Sequence, residues 1–371
     1  MIDTYDVVVV GAGPTGSNAA YRIASKGYNV LLLERDAKPG QFNSCGGGVG
    51  YFIKNLYGYP DEIAGREISK VRLALHNREI FFDAGKPIYT SVQHPKFDNW
   101  FAQRAANAGA TLKVSHKALD YDPLKRRITC LNRTSGETVH FDGKLFIFAD
   151  GPRTLAWRTC RVGLPANKPM HIGIAYELSA PKAAHDTYEF IFDEIKLPYG
   201  YFWVFPGENA LNVGVGGPRE QLRGKLGPML HAFIESREDL RDLKTERISS
   251  GLIPAYLSGK MHGDGVMAIG DAAGFVNPLT GGGIFMGLKS SEAAAKTALE
   301  SLDAGRSDAK FLSRYTHRMK FSKIYPSVKL LDFSVRQSQN FLRHTGKPLL
   351  SEIFYWYSKL MFQLLKIIKD F

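Results

Sequence analysis

The chain has 371 residues, of which 44% are hydrophobic and 23% are charged. These fractions are typical of a globular protein with a large core, and they exclude a disordered chain, a fibrous chain and a small disulfide-stapled domain. Lysine and arginine number 48, against 36 aspartates and glutamates, so the net charge is +12. This charge favours acidic partners such as nucleic acid, anionic lipid or a phosphorylated substrate.

The cysteines and the hydropathy indicate the compartment. Cys45, Cys130 and Cys160 are too few for a disulfide framework, and their spacing is not that of metal ligands. We therefore expect a reducing compartment and no bound metal. The N-terminus does not resemble a signal peptide, and no apolar stretch reaches the ~18 residues of a spanning helix. We expect a cytoplasmic protein, either soluble or peripheral to a membrane.

The N-terminus predicts a βαβ unit. The β-branched run Tyr5–Val10 is typical of a buried parallel strand, and Asn29–Leu33 predicts a second strand that ends at Glu34. A G-x-G-x-x-G motif joins the first strand to a helix, which favours a dinucleotide site over an ordinary glycine-rich turn. The motif contains Gly11, Gly13, Pro14 and Gly16. Its glycines let the backbone approach a pyrophosphate, and Glu34 would accept a hydrogen bond from a ribose hydroxyl.

The middle of the chain predicts short strands, a helix and a buried strand. A glycine-rich stretch, Gly40–Gly50, follows the βαβ unit, and the buried strand Leu145–Ala149 ends at Asp150 and Gly151. Between them we expect two hairpins, at Ile68–Leu75 with Glu79–Asp83 and at Arg127–Leu131 with Glu137–Phe141, and a helix at Phe97–Ala108.

The second half predicts a sheet-rich region followed by helices. The expected strands are His171–Ser179, Thr187–Asp193, Tyr201–Phe205, Ala210–Val215, Arg247–Pro254 and Val266–Ile269. The expected helical segments are Gln221–Leu240, Gly281–Leu302 and Phe311–Phe371. Alternation of apolar and polar residues distinguishes the strands of residues 171–216 from the βαβ part.

Two further motifs indicate which dinucleotide binds. Asp150-Gly151 and Gly270-Asp271 each follow a buried strand, and the run Gly281–Gly283 leads into a helix. A carboxylate at Asp271 suits the ribityl or pyrophosphate part of a flavin, although alone it is as well explained as a helix cap. N–H groups at the helix start after Gly283 would face the N1–C2=O edge of the flavin and stabilise the anionic reduced ring.

These motifs together resemble the single-nucleotide-fold FAD oxidoreductases, which include aromatic hydroxylases, flavin halogenases and geranylgeranyl reductases. The resemblance implies non-covalent FAD. The sequence lacks a second glycine fingerprint for a nicotinamide, so NAD(P)H would bind transiently or electrons would come from a protein donor such as reduced ferredoxin. The cofactor residues that we expect are Gly11, Gly13, Pro14, Gly16, Glu34, Arg35, Cys45, Gly46, Gly47, Asp150, Gly151, Gly270, Asp271, Gly281, Gly282 and Gly283.

The expected architecture is α/β combined with α+β. A Rossmann-like FAD-binding domain, residues 1–65, 95–170 and 255–310, is interrupted by a substrate domain with an antiparallel sheet, residues 66–94 and 171–254. A helical segment, residues 311–371, completes the chain.

Two local motifs resemble those of geranylgeranyl reductases. The first is Y-x-W-x-F-P followed by G-x-G, which in this sequence comprises Tyr201, Trp203, Phe205, Pro206, Gly214 and Gly216. In that family the motif helps to build an apolar substrate cavity over the flavin. The second is the C-x-G-G loop at Ser44–Gly48, which lies near the flavin ring in that family. Strand alternation places the three aromatic residues on one face, although ordinary core packing remains the alternative.

The resemblance implies reduction of isolated double bonds in a polyprenyl chain. Hydride would come from reduced FAD, and a proton would come from Cys45, Tyr201 or a bound water. Cys45 has an alternative explanation as a small buried residue. The acceptor stays open among a diether glycerophospholipid, geranylgeranyl diphosphate, a chlorophyll tail and a menaquinone side chain. The rival functions are a flavin-dependent monooxygenase or halogenase, acting on an aromatic or apolar substrate, and a prenyl-binding escort protein without catalysis.

The last residues suggest a membrane surface. Glu352–Lys369 has the pattern of a basic amphipathic helix, which would lie on an anionic bilayer or else pack on the core. We expect peripheral association with the inner face of the cell membrane. A concentrated basic patch is missing from the sequence, so we do not expect nucleic-acid binding. His94 stands where flavin hydroxylases often carry arginine, and this departure leaves one flavin contact open.

Overall fold

A computed structural model describes residues 2–42, 45–75, 78–181, 185–193, 196–322 and 324–345. Its strands are β1 Asp3–Val10, β2 Val30–Leu33, β3 Gly48–Gly50, β4 Glu67–Ile68, β5 Lys70–Leu75, β6 Arg78–Asp83, β7 Tyr89–Ser91, β8 Thr111–Lys113, β9 His116–Asp122, β10 Arg127–Asn132, β11 Thr138–Phe148, β12 Met170–Ser179, β13 Thr187–Phe192, β14 Tyr201–Pro206, β15 Ala210–Pro218, β16 Thr245–Pro254, β17 His262–Gly263 and β18 Val266–Ala268.

The helices are distributed among these strands, and the last three follow β18. They are α1 Pro14–Ala24, α2 Phe52–Tyr57, α3 Asp61–Ala64, α4 His94–Asn107, α5 Leu155–Cys160, α6 Arg219–Leu222, α7 Leu226–Glu235, α8 Ile284–Asp303, α9 Ala309–Lys320 and α10 Ile324–Thr345, with a 3₁₀ helix at Gly270–Ala273. None of the described helices is long and apolar enough to cross a membrane. The amphipathic helix expected at Glu352–Lys369 lies outside the described residues.

The chain forms two compact units, each built from separate stretches of sequence. The described residues of the first unit fall within Met1–Phe42, His94–Pro169 and Ile253–Asp332, and those of the second within Asn43–Gln93, Met170–Leu252 and Phe333–Phe371.

The expected domain limits stay a prediction, and the two units divide the chain differently. Residues 45–65 lie in the second unit, where β3 pairs with β7, and not with the stretches of the first unit. Helix α9 belongs to the first unit rather than to a separate segment, because Phe311, Leu312 and Tyr315 are buried in its core.

A parallel sheet forms the centre of the first unit. Its strand order is β17-β18-β11-β1-β2-β8, and β9 and β10 join β11 as an antiparallel extension. The strand residues Val7–Val10 are buried because the sheet is covered on both sides, as their continuous apolar run predicts. The carboxyl ends of β1, β2, β11 and β18 meet at one edge, where α/β sheets bind their ligands.

A mostly antiparallel sheet of order β16-β12-β15-β14-β13-β5-β6 forms the centre of the second unit. One face is mostly aliphatic and packs against α7, through residues such as Val204, Val213 and Leu230. Phe202 on the same face stacks on Phe233 of that helix. The other face is aromatic and contains Tyr188, Trp203 and Phe205. A small sheet of order β3-β7-β4 also belongs to this unit. The mixed α/β and α+β fold class that the sequence predicts is thereby confirmed.

Candidate active site

The glycine motif forms a tight turn between β1 and α1. A Cβ atom at Gly11 would lie 2.5 Å from the carbonyl oxygen of Ala149, and one at Gly16 would overlap the carbonyl oxygen of Gly11. Gly13 differs from both, because a Cβ atom there would meet nothing within 4 Å. The turn therefore packs closely against neighbouring backbone at Gly11 and Gly16, whereas the space beside Gly13 is open.

Helix α1 begins at this open position. Pro14 is its first residue and Gly13 is its N-cap, and within the described part of the chain no side chain caps its first N–H groups. An uncapped helix start with open space before it favours an anionic group, because the free N–H groups and the helix dipole both stabilise negative charge.

Glu34 is held at the end of β2. Its carboxylate accepts hydrogen bonds from the N–H groups of Ala12 at 3.1 Å and Asp36 at 3.0 Å. Burial raises the pKa of Glu34 above its ordinary value, and these two hydrogen bonds oppose that rise. Arg35 follows with its guanidinium 3.5 Å from the carboxylate of Asp36. Glu34 thus keeps a fixed orientation beside the glycine turn, as a ribose ligand requires.

Asp150 lies two residues after the end of β11, next to the same turn. One carboxylate oxygen, Oδ2, accepts a 2.7 Å hydrogen bond from the N–H of Leu155. The other, Oδ1, is buried and has no hydrogen-bond partner in the described part of the chain. Burial raises the pKa of Asp150 to about 6. Gly151 has a φ of +83° and would place a Cβ atom in open space. An acceptor without a donor beside such a space fits a bound hydroxyl group.

The motif after β18, Gly270-Asp271, contacts both the glycine turn and α8. The N–H of Gly270 donates a 2.9 Å hydrogen bond to Oγ of Ser290. A Cβ atom at Gly270 would come within 3.0 Å of Thr15, just after the first motif. Burial raises the pKa of the next residue, Asp271, to about 6. A Cβ atom at Gly283 would lie 3.0 Å from Asp271 Oδ1, so this carboxylate stands at the start of α8.

The run Gly281–Gly283 provides a second uncapped helix start. Gly281 adopts a φ of +70°, which favours glycine, and Gly282 would have only Thr280 near a Cβ atom. Gly283 is the N-cap of α8, and among the residues that the structure describes no side chain caps the first turn. The two glycine motifs and both aspartates therefore lie within one unit, around one edge of its sheet, and their chemistry fits FAD.

Polar residues that join α1 to α8 could not be predicted from the sequence. Asn18 donates a 2.7 Å hydrogen bond to Ser291, and a Cβ atom at Gly287 would overlap Oγ1 of Thr15. Because these residues are separated by about 270 positions, no local pattern relates them. The small residues of both helices were the sequence signal that could have indicated a close contact between α1 and α8.

The loop of Cys45 lies in the second unit. Cys45 is exposed, and its Sγ accepts a 3.4 Å hydrogen bond from the N–H of Gly47. Gly47 has a φ of +73° and its carbonyl accepts from Val92 at 2.8 Å. A Cβ atom at Gly46 would lie 2.9 Å from the ring of Phe205. The loop thus runs against the aromatic face; its Ser44 lies outside the described residues.

Tyr201, Trp203 and Phe205 share one face of β14, as their alternation predicts. Adjacent ring centroids along this strand are 5.7 Å and 6.2 Å apart. Gly214 pairs with Trp203, and a Cβ atom at Gly214 would overlap the indole ring. Gly216 pairs with Tyr201. The two glycines therefore leave room for the aromatic rings to lie across β15.

Pro206 does not share this face. It pairs with Leu211, which belongs to the aliphatic cluster under α7, and strand alternation puts it opposite to Phe205. Position 206 is one residue out of phase with 201, 203 and 205, and the expected place of Pro206 in the cavity stays a prediction.

Two aromatic residues of β13 and one amide of β15 were missed. Tyr188 stacks on Phe205 with centroids 4.6 Å apart, and Phe190 lies 5.0 Å from the same ring. Asn212 accepts a 2.7 Å hydrogen bond from Trp203 Nε1 and donates one of 3.3 Å to the carbonyl of Cys45. The alternating tyrosine and phenylalanine residues of β13 were the available signal for the first two.

The other sequence-predicted residues have structural surroundings. Cys130 is buried in the core and its thiol has a pKa raised by burial to about 12. The thiol of Cys160 donates a 3.1 Å hydrogen bond to the carbonyl of Ala156. His94 is buried at the start of α4, with Nδ1 2.8 Å from Oδ1 of Asp98. This contact occupies Nδ1 of the imidazole that stands in place of arginine.

Comparisons with known proteins match a stretch of each unit. A family model described as FAD dependent oxidoreductase matches residues 6–87, and one described as geranylgeranyl reductase catalytic domain matches residues 170–252. Digeranylgeranylglycerophospholipid reductase 2 of Methanopyrus kandleri is 32% identical over 326 residues, 85% of this chain and 82% of that protein. A protein of the same name from Methanothermobacter thermautotrophicus is 32% identical over 333 residues, 85% and 83% of the two chains.

Solved structures agree with the sequence relatives. A geranylgeranyl bacteriochlorophyll reductase-like protein from Thermoplasma acidophilum superposes with a TM-score of 0.82 at 26% identity, covering 90% of this chain and 88% of that one. A flavin-dependent brominase superposes with a TM-score of 0.69 at 20% identity, covering 91% and 90%, and shares the fold alone. The chain therefore belongs to the geranylgeranyl reductase family and is an FAD-dependent oxidoreductase.

Proposed function

We propose that this enzyme saturates isolated double bonds in the geranylgeranyl chains of a membrane lipid that carries a phosphate group. The observation that carries the proposal is the aromatic face of the second unit, formed by Tyr188, Trp203 and Phe205 in the region that matches the geranylgeranyl reductase catalytic domain. Such a face offers an apolar chain a large contact area. The relatives named above are reductases of a digeranylgeranyl glycerophospholipid.

The residues of the first unit hold the cofactor in this proposal. The N–H groups around Gly13 bind the pyrophosphate, and Glu34 accepts from the adenosine ribose. Asp150 and Asp271 accept from hydroxyl groups of the cofactor, and the first turn of α8 stabilises negative charge on the flavin ring. When bound, FAD supplies hydride transfer to one carbon of the alkene.

The second carbon of the alkene must receive a proton. An isolated alkene has no carbonyl group that could be polarised, so the proton donor has to lie close to it. Cys45 and Tyr201 are the candidates among the side chains, with a bound water as the third. Burial raises the pKa of Tyr201 above its ordinary value, which keeps the phenol protonated at neutral pH.

The remaining parts of the proposal concern electrons and location. NAD(P)H or reduced ferredoxin reduces the flavin, and the protein associates with the cytoplasmic face of the membrane through its basic, amphipathic end. Sedimentation with vesicles tests the association with the membrane. We expect co-sedimentation with anionic vesicles that weakens at high salt, whereas equal binding to neutral vesicles would contradict an electrostatic contribution.

An anaerobic single-turnover experiment tests the reaction itself. The FAD-loaded protein is reduced with dithionite, a geranylgeranyl lipid is added, and the flavin spectrum and lipid mass are followed. Flavin reoxidation with a gain of two hydrogen atoms per double bond is the expected result. Reoxidation only after admission of air would contradict alkene reduction and favour the monooxygenase alternative.

A further inference from the structure

The segment that follows β2 is bound along its backbone to the bend between β8 and β9. The N–H of Glu34 donates a 2.9 Å hydrogen bond to the carbonyl of Lys113, and the N–H of His116 donates one of 2.7 Å to the carbonyl of Glu34. The N–H of Ser115 donates a 2.9 Å hydrogen bond to the carbonyl of Asp36. Ser115 has a φ of +56°, a left-handed conformation that is uncommon outside glycine. The bend is therefore in an unfavourable conformation at the residue that binds Asp36.

Arg133 lies in the turn between β10 and β11 and reaches the same segment. Its backbone N–H donates a 2.7 Å hydrogen bond to the carbonyl of Ser115. Its Nη1 atom donates to the carbonyl of Arg35 at 3.1 Å and to Oδ1 of Asp36 at 3.0 Å. The side chain of Asn132 stabilises this turn by accepting hydrogen bonds from two of its N–H groups. One guanidinium therefore connects a well-held turn to two consecutive residues after β2.

The carboxylate of Asp36 needs a counter-charge because it is largely buried. Its side chain is only 11% exposed. The guanidinium of Arg35 lies 3.5 Å from Oδ2 of Asp36, whereas that of Arg133 lies 3.0 Å from Oδ1. Removal of one partner from such a pair leaves a charge that is neither solvated nor fully compensated. We therefore expect the position of Asp36 to depend on Arg133, the closer of the two cations.

Asp36 in turn orients Glu34. The N–H of Asp36 donates to Oε1 of Glu34 at 3.0 Å, and the N–H of Ala12 donates to Oε2 at 3.1 Å. Burial is the main cause of the raised pKa of Glu34, and the negative charge of Asp36 adds to it. A guanidinium bound to Asp36 reduces this negative charge and so favours the ionised form of Glu34. Geometry and charge both link Arg133 to the carboxylate of Glu34.

We propose that Arg133 is a positioning residue for FAD, which acts on the adenosine ribose through Asp36 and Glu34. The guanidinium holds Asp36, the N–H of Asp36 holds Oε1 of Glu34, and Glu34 keeps the orientation in which it accepts from a ribose hydroxyl. When Arg133 is removed, FAD has to order this segment on binding, which lowers its affinity. The inference rests on the proposed role of Glu34 and adds to it a residue from a distant hairpin.

The test uses two forms of the cofactor that differ in one hydroxyl group. FAD and an FAD analogue without the 2′-hydroxyl of the adenosine ribose are titrated into the FAD-free full-length protein, and flavin fluorescence gives the Kd of each. In wild type we expect the analogue to bind about tenfold more weakly, because Glu34 loses a donor. In Arg133→Gln we expect the Kd of FAD to rise about fivefold and that of the analogue to stay unchanged. The ratio of the two Kd values then falls from about tenfold to about twofold.

Two further variants separate positioning from a general effect on the hairpin. Arg127 belongs to the same hairpin and binds both carboxylate oxygens of Asp142, at 2.7 Å and 2.8 Å. Arg127→Gln should leave the ratio of Kd values at about tenfold. Arg133→Lys keeps a cation and should restore part of the ratio that Arg133→Gln loses. Thermal melting of each FAD-free variant records its effect on stability.

The ratio of Kd values decides the outcome. If Arg133→Gln weakens the binding of both ligands by the same factor, or of neither, the ribose hydroxyl is not involved and the inference is overturned. An equal fall of the ratio in Arg127→Gln would overturn it as well, because the effect would then belong to the whole hairpin. A wild type that does not discriminate between the two ligands would contradict the role of Glu34 and with it this inference. These affinities do not depend on alkene reduction, so they are independent of the test of the reaction.

Discussion

Nε1 of Trp203 donates a 2.7 Å hydrogen bond to Oδ1 of Asn212, which lies on the neighbouring strand. The other end of the same amide donates to the carbonyl of Cys45. One side chain therefore orients the indole and anchors the loop that carries the cysteine. A buried indole N–H needs a hydrogen-bond acceptor. The amide of Asn212 therefore satisfies the polar group of Trp203 on an otherwise apolar face.

Replacing Asn212 by leucine should damage the site more than the fold. The indole N–H loses its acceptor and the Cys45 loop loses one anchor, so we expect a loss of about 1–2 kcal/mol in stability. We expect turnover to fall by at least tenfold. Urea unfolding and anaerobic alkene reduction measure the two effects. Asn209→Ala, in the nearby turn, is the matched control, and equal effects of the two variants would contradict the role of Asn212.

Gly214→Ala should displace the indole of Trp203. The added Cβ atom would overlap that ring, so either the ring moves or the strands separate, at a cost of about 1–3 kcal/mol. Tryptophan fluorescence and thermal melting report the change. In Gly227→Ala the added atom meets nothing within 4 Å on helix α7, and we expect equal or higher stability there. A normal spectrum for Gly214→Ala would refute the close contact.

Gly13 and Gly16 should fail in different ways when replaced by alanine. The Gly16 variant overlaps the backbone of Gly11 and should fold poorly. The Gly13 variant has room to fold, but its methyl group occupies the space before α1. We expect this variant to melt like the wild-type apoprotein and to bind FAD at least tenfold more weakly. Titration of apoprotein with FAD measures the affinity, and unchanged affinity would exclude the pyrophosphate from this position.

The stability of the FAD-free protein should depend on pH because of Asp271. Its pKa is about 6 in the folded protein and near 4 when unfolded, so the folded state holds more protons between these values. This contribution to stability is complete below pH 4 and is lost as the pH rises to about 6. Asp271→Asn should therefore stabilise the apoprotein at pH 7 by about 1–3 kcal/mol and have little effect at pH 4.

The FAD affinity of the same variant gives the second half of this test. The amide is a weaker acceptor than the carboxylate, so we expect Asp271→Asn to bind FAD more weakly while it melts at a higher temperature without FAD. Thermal melting at several pH values, with and without FAD, checks both statements. A stability difference that does not depend on pH would show that Asp271 is not the titrating group.

Cys45→Ala and Tyr201→Phe distinguish the proton donors. Loss of the true donor should slow flavin reoxidation by the alkene by 100-fold or more, while reduction of the flavin by dithionite stays unchanged. Cys160→Ala is a control for the removal of a thiol. If both variants keep the wild-type rate, neither side chain supplies the proton and bound water becomes the donor.

Local sequence patterns predicted the parts of the site that depend on one element. The glycine turn, Glu34 and the single face of Tyr201 and Trp203 follow from spacing along one strand or turn. The stacking of Tyr188 on Phe205 does not, because it depends on β13 and β14 being neighbours in the sheet. Sheet pairing also explains why residues 45–65 lie in the second unit, since β3 pairs with β7.

The two faces of the main sheet in the second unit differ in their side chains. Aliphatic side chains under α7 provide the cohesion of the unit, whereas the aromatic side chains on the opposite surface are not part of that cluster. We therefore expect that substitutions on the aromatic surface can adapt it to longer, shorter or bulkier substrate chains while the packing on the other face is kept. Divergence in substrate range within such a scaffold needs few compensating changes, which makes this surface the natural place to engineer new specificities.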